Sequence, residues 1–214
     1  MKFRYLRLLI LFFSISTIIL TTTSCNDDEG NGPDDPLPEN TFKDSRDNEL
    51  YKTVEIGNQT WMAENLRYIT SDNSWYYDND ASKANAHGRL YTLSAAKSAC
   101  PEGWHLPSDE EWKELEMELG MTEQVANKEG YRGVDEGDKI KAGGSSGLNV
   151  LMSGMRSFQG EFKSITISAE FWTSTTQFAG NTNWSREFHD ISEDVCREGN
   201  QLSSGLSVRC VKDN

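Results

Sequence analysis

Cys100-Pro-Glu-Gly-Trp104-His-Leu-Pro-Ser108-Asp-Glu-Glu-Trp112 is the stretch from which the fold can be read outward. Upstream of it, Leu90 to Ala99 reads as a short helix. Pro101 stops that helix, because a proline pushes the preceding residue out of the helical region, so Cys100 sits at a helix end. Downstream, Ser108 and Glu111 have the spacing of a capping box, in which the serine oxygen accepts from the Glu111 N–H and the glutamate reaches back. Trp112, Leu115 and Leu119 then recur at helical spacing on one apolar face, and Gly120 offers a left-handed stop. Asp109, Glu110 and Glu111 could be imagined as general acids. As the first turn of a helix they complement its positive end, and the cap accounts for them without catalysis.

On the N-terminal side, Thr41 to Arg46, Tyr51 to Ile56 and Gln59 to Leu66 are rich in strand formers. Asp47-Asn48 and Gly57-Asn58 separate them and suit tight hairpins, so a three-stranded meander is predicted. On the C-terminal side, Gly130 to Gly160 reads as a long irregular excursion. Its Gly143-Gly144-Ser145-Ser146-Gly147 run lacks the leading strand and following Gly-Lys-Ser/Thr of a phosphate loop. Glu170 to Thr176, Trp184 to His189, Asp194 to Arg197 and Leu206 to Val211 read as strands. The class that results is α+β: a mixed, mainly antiparallel sheet with two short helices and long irregular loops.

At the start of the chain, Lys2, Arg4 and Arg7 precede an apolar run from Leu8 to Leu20 that ends in small residues before Cys25. This is the plan of a signal peptide, residues 1–24, and Thr-Thr-Ser-Cys resembles a bacterial lipobox. Cys25 is the expected lipidation site, where acyl chains anchor the protein to the membrane at about 0.8 kcal/mol per buried CH2. Residues 25–40 are acidic and nearly devoid of apolar side chains, a flexible tether. An acidic patch directly after a lipidated cysteine resembles the export signal of Bacteroidota surface lipoproteins, so the expected location is the outer membrane, facing the exterior. Residues 41–214 then form one domain.

Beyond the leader, 18 basic residues face 34 acidic ones, a net charge of -16. Such a field repels a phosphate backbone, and nucleic acid is excluded as a partner. With Cys25 lipidated, Cys100, Cys196 and Cys210 remain, an odd number. By spacing alone any of the three pairings is open, including Cys196 with Cys210 across a hairpin near Ser203-Ser204. No Cys-x-x-Cys or nearby His pair supports a zinc site. His87, His105 and His189 are the only histidines and lie in no nucleophile elbow, with His105 read as structural.

The candidate recognition loop is aromatic and acidic: Tyr68, Trp75, Tyr76, Tyr77, Asp78, Asn79 and Asp80. Rings beside Asp and Asn suit a sugar, while core completion by the rings and a turn at Asp78-Asn79-Asp80 is the plainer use of the same residues. Trp184, with the Thr173 to Asn183 region, is the candidate contact for a protein partner. The expected function is therefore a non-catalytic binding module for a glycan or glycoconjugate. An adhesin that contacts a surface protein is the alternative.

Several phrases occur in order: Tyr51-Lys-Thr-Val-Glu-Ile-Gly-Asn-Gln-Thr-Trp61-Met-Ala-Glu-Asn65-Leu66, Gly88-Arg-Leu-Tyr91, the Cys100 to Trp112 stretch, Phe171-Trp-Thr-Ser-Thr, and Gly205-Leu-Ser-Val-Arg-Cys210-Val-Lys-Asp. Together they resemble the Fibrobacter succinogenes major paralogous domain over Phe42 to Asp213. The resemblance implies a C-type-lectin-like fold, related to the formylglycine-generating enzymes, with the termini brought into one sheet. It also implies a Cys100–Cys210 disulfide, closing a loop of about 110 residues and contributing on the order of 4 kcal/mol. Cys196 stands where relatives usually have no cysteine, which leaves it a free thiol. Formylglycine-generating chemistry needs two adjacent thiols on copper, and with Cys210 bridged that pair is lacking. The Glu-Pro-Asn, Gln-Pro-Asp and Trp-Asn-Asp signatures of calcium-dependent lectins are absent, and Asp78 with Asp80 supplies too few oxygens for Ca2+. Neither metal nor cofactor is expected.

Overall fold

The hairpin from Leu50 to Met62 packs on both faces, Tyr51 and Met62 against one apolar cluster and Ile56 and Trp61 against another. The computed structural model describes residues 37–178 and 181–213. The leader, Cys25 and the tether up to residue 36 lie outside the described residues. In chain order the strands are β1 (Thr41–Lys43), β2 (Leu50–Ile56), β3 (Gln59–Met62), β4 (Ser74–Trp75), β5 (Leu90–Tyr91), β6 (Trp104–His105), β7 (Gly130–Arg132), β8 (Ser153–Arg156), β9 (Phe162–Ile165), β10 (Ser168–Phe178), β11 (Thr182–His189), β12 (Val195–Gln201) and β13 (Val211–Lys212). The helices are α1 (Ala84–His87), α2 (Leu93–Ala99), α3 (Asp109–Glu118), α4 (Glu123–Ala126) and α5 (Glu136–Ile140).

One sheet runs β1-β2-β3-β13-β6, and a second runs β7-β12-β11-β10-β8-β9. A third is the pair β4-β5. All ladders are antiparallel except β10 with β8. The α+β class and the meander thus stand as read. β13 joins β3, so the two ends of the described chain share a sheet. Cys100 and Cys210 are bridged, their Cα atoms 5.9 Å apart, which ties the end of α2 to the chain just before β13.

Four expectations need correction, the first being the strand from Leu206 to Val211: Leu206 and Ser207 make only isolated bridges, to Tyr91 and Phe171, and the strand proper is Val211–Lys212. Five short helices are described rather than two, because α1, α4 and α5 span a single turn or little more and show no apolar period; α4 is marked only by its Thr122 cap. The helix expected from Leu90 begins at Leu93. Leu90 and Tyr91 instead pair with Trp75 and Ser74, and Thr92 caps the helix by accepting from the Ala95 N–H. The excursion from Gly130 to Gly160 is not wholly irregular, since it contains β7, α5 and β8.

α3 has both halves of its capping box, and Gly120 follows it with φ of 120°. The face of α3 bearing Trp112 and Leu115 is buried beneath the second sheet with Trp61, Phe171 and Phe188. Their rings meet at 4.8 to 6.1 Å, the tilted and edge-on contacts aromatic rings prefer. A second apolar cluster joins α2 to Tyr51, Leu66, Tyr91, Trp172 and Val208.

Candidate functional site

Each ring of the aromatic loop meets a cation. The Arg156 guanidinium lies 4.1 Å from the centre of the Trp75 ring, Arg89 lies 4.0 Å from Tyr76, and the Lys83 ammonium lies 4.9 Å from Tyr77. Tyr77 is itself core, packed on Phe162 at 5.4 Å. Trp75 and Tyr76 are half-buried, while Asp78 and Asp80 are exposed. Asp78 pairs with Lys83 at 3.2 Å, and Asp80 accepts from the backbone and hydroxyl of Ser82. The loop therefore groups five of the candidate residues but turns one ring inward and caps two others with guanidinium groups. Trp184 stands apart on β11, its ring 3.6 Å from the Arg197 guanidinium.

Beside this loop lies a cleft of about 490 Å³ lined by Asn73, Thr92, Leu93, Ser94, Lys97, Leu202 and Ser203. It arises because the β4-β5 pair hands the chain to α2 at Thr92, whose N–H donates to the Asn73 carbonyl at 3.0 Å. The Leu93 N–H donates to the Leu202 carbonyl at 3.1 Å and brings in the segment after β12. Exposed amide, hydroxyl and ammonium groups from Asn73, Ser94, Ser203 and Lys97 thus surround apolar surface from Leu93 and Leu202.

The three acids that open α3 have separate tasks. Glu111 makes the cap and also meets His105 Nε2 at 2.7 Å, while His105 Nδ1 lies 2.6 Å from Asp213. Burial disfavours charge on His105, but these two carboxylates outweigh it and raise its pKa. Glu110 pairs with Lys113. Asp109 is not explained by the cap. It is buried, and it accepts from Arg186 at 2.8 Å and from Arg197 at 2.9 and 2.7 Å. Glu116, two turns on, accepts from Arg186 at 2.6 Å and from Arg132 at 2.5 Å. Burial works to raise the Asp109 carboxyl, and the two guanidinium groups override it, holding it down to about 2. This interior ionic cluster joins α3 to the underside of β11, β12 and β7, and the sequence reading assigned none of it.

A fourth interior arginine, Arg209, makes no ion pair among the described residues. Arg209 donates to Asn65 Oδ1 at 2.6 Å and to the carbonyls of Met62, Leu148 and Asn149. Burial lowers its pKa to about 9.

The opposite face of the second sheet carries groups that spacing could not reveal. Glu170, Glu187, Cys196 and Tyr131 are direct cross-strand neighbours in one row over β10, β11, β12 and β7. Cross-strand residues share a face however far apart they lie in the chain. Burial, then the Glu187 charge, pushes the Glu170 carboxyl up to about 8. Burial, then Glu198 and Glu187, pushes the Cys196 thiol up to about 12.

A family model described as the Fibrobacter succinogenes major domain matches residues 54–212. No curated protein and no solved structure matches the chain.

Proposed function

We propose, on the premise that this chain belongs to the Fibrobacter succinogenes major domain family, that it is a lipid-anchored, non-catalytic module that binds a carbohydrate or glycoconjugate outside the cell. The observation that carries this reading is the cleft between β4-β5, α2 and the segment at Leu202-Ser203. A pyranose presents hydroxyls on its rim and an apolar C–H face, and the cleft offers the matching pair: Asn73, Ser94, Ser203 and Lys97 for the hydroxyls, Leu93 and Leu202 for the face. Trp75 and Tyr76 follow Asn73 closely in the chain, their rings covered by Arg156 and Arg89 rather than free to stack. A C-type-lectin-like arrangement belongs to the same proposal, supported by the shared sheet of β1 to β3 with β13. Lipidation at Cys25 and an outward-facing position at the outer membrane rest on the leader and the acidic tether.

The test is a glycan-array screen of the purified chain alongside Lys97→Ala, Leu202→Ala and Trp75→Ala. A hit weakened by the first two substitutions is expected. A folded protein without a hit, or a hit indifferent to all three, would overturn the glycan reading. The second reading is a protein-contacting adhesin, favoured by Phe178, whose ring is 64 % exposed at the end of β10 in the region next to Trp184. Capture of a basic protein partner, lost with added salt and with Phe178→Ser, would support it.

A further inference from the structure

Glu187 and Cys196 face one another across β11 and β12, and Glu198 lies two residues beyond Cys196 on the same side of its strand. Their ligating atoms, one carboxylate oxygen from each glutamate and the Cys196 sulfur, all lie within 4.8 Å of one another. The thiol is 2 % exposed and free, and among the described residues no group hydrogen-bonds it. Around it, Glu170 is nine-tenths buried and is held by the Asn200 amide at 2.8 Å, and the Tyr131 hydroxyl donates to Glu187 at 3.2 Å. Among the described residues no lysine or arginine pairs with Glu170, Glu187 or Glu198, in contrast to the opposite face of the same sheet, where three arginines neutralise Asp109 and Glu116. Carboxylates gathered beside a buried thiol without a basic partner are a costly arrangement unless a cation joins them.

We infer that Glu187, Cys196 and Glu198 form a binding site for a thiophilic divalent cation of the Zn2+ class. Mixed sulfur and carboxylate ligands select a borderline-soft ion over Mg2+ or Ca2+, which take oxygen. Three protein ligands leave a fourth tetrahedral position on the side where Glu198 and Tyr131 are exposed, open to water. Tyr131 on Glu187 supplies an outer contact of the kind that orients a ligand. The spacing that argued against zinc considered only neighbours along the chain, whereas this set is assembled across strands.

The experiment is titration of the full chain with Co2+ as a spectroscopic stand-in, followed by competition with Zn2+, Mg2+ and Ca2+. The expected result is a near-ultraviolet thiolate-to-cobalt charge-transfer band that Zn2+ abolishes and Mg2+ and Ca2+ leave in place. Cys196→Ser should lose the band, which also separates this thiol from Cys25. Glu198 lies on the exposed rim, so Glu198→Gln is expected to fold normally and to bind Zn2+ at least about tenfold more weakly. A wild-type chain without the band, a band that survives Cys196→Ser, or Zn2+ affinity unchanged in a folded Glu198→Gln variant would each overturn the site.

Discussion

Replacing Asp109 with Asn keeps the shape of the side chain and removes the negative charge on which two interior guanidinium groups depend. Arg186 is fully buried and Arg197 nearly so, and three of their hydrogen bonds, at 2.7 to 2.9 Å, end on the Asp109 carboxylate. Breaking a buried pair by removing one partner typically costs about 3–5 kcal/mol, since the remaining charge cannot recover its hydration. Glu116 also serves Arg186, which places the expected loss near the lower end, about 3 kcal/mol. For a chain of this size that corresponds to a fall in Tm on the order of 10 °C. The same residue sets an acid limit. Its folded pKa of about 2 lies below its unfolded value, so its stabilisation is complete above that unfolded value and is lost as pH falls through the folded one. The wild-type free energy of unfolding, measured by urea denaturation at pH values from 6 down to 2.5, should therefore decline more steeply than that of Asp109→Asn, the two curves converging at the acid end. A loss below about 1 kcal/mol at neutral pH, the size of a helix-cap effect, or parallel pH profiles, would refute the interior role and return Asp109 to the helix cap.

Removing the Cys100–Cys210 bridge by a double Cys→Ala substitution should lower stability by on the order of 4 kcal/mol, read by denaturation of the oxidised protein against the variant, given a separation of 110 residues. Arg209→Met takes the guanidinium donors from Asn65 Oδ1 and from the buried carbonyls of Met62 and Leu148, and at about 1–3 kcal/mol for each orphaned group the variant is expected to unfold at a markedly lower urea midpoint or fail to accumulate. Gly154→Ala would place a methyl 2.5 Å from the Lys163 carbonyl at φ of 67°, so a lowered Tm with distorted β8-β9 pairing should follow, visible in amide exchange. Palmitate labelling in the native host should disappear with Cys25→Ala, and retention of the label would remove the anchor from the proposed function.

The elements that the sequence announced were those whose signal is local. The meander from Thr41 onward, the α3 cap at Ser108 and Glu111, and the apolar stripe of Trp112 and Leu115 depend on periods of two and 3.6 residues and on turn chemistry, all legible over a few positions. The one-turn helices and the true start of α2 were not legible, since a single turn carries no period and Leu90-Tyr91 is drawn into a strand by Ser74 and Trp75. The aromatic loop was found by composition, but that Tyr77 would be core and that Arg89 and Arg156 would cover its neighbours depends on packing from distant segments.

By itself the sequence determined the acidic composition, the α+β class and, through whole phrases rather than single residues, the family. Only the tertiary structure decided which charges pair. Arg186 and Arg197 read as ordinary strand residues until the register of β11 and β12 turns them beneath α3, and Glu187, Cys196 and Glu198 have no evident connection until the same register sets them together on the other face. Register is a long-range property, fixed by burial of the whole sheet, and a shift of one residue would exchange the two faces.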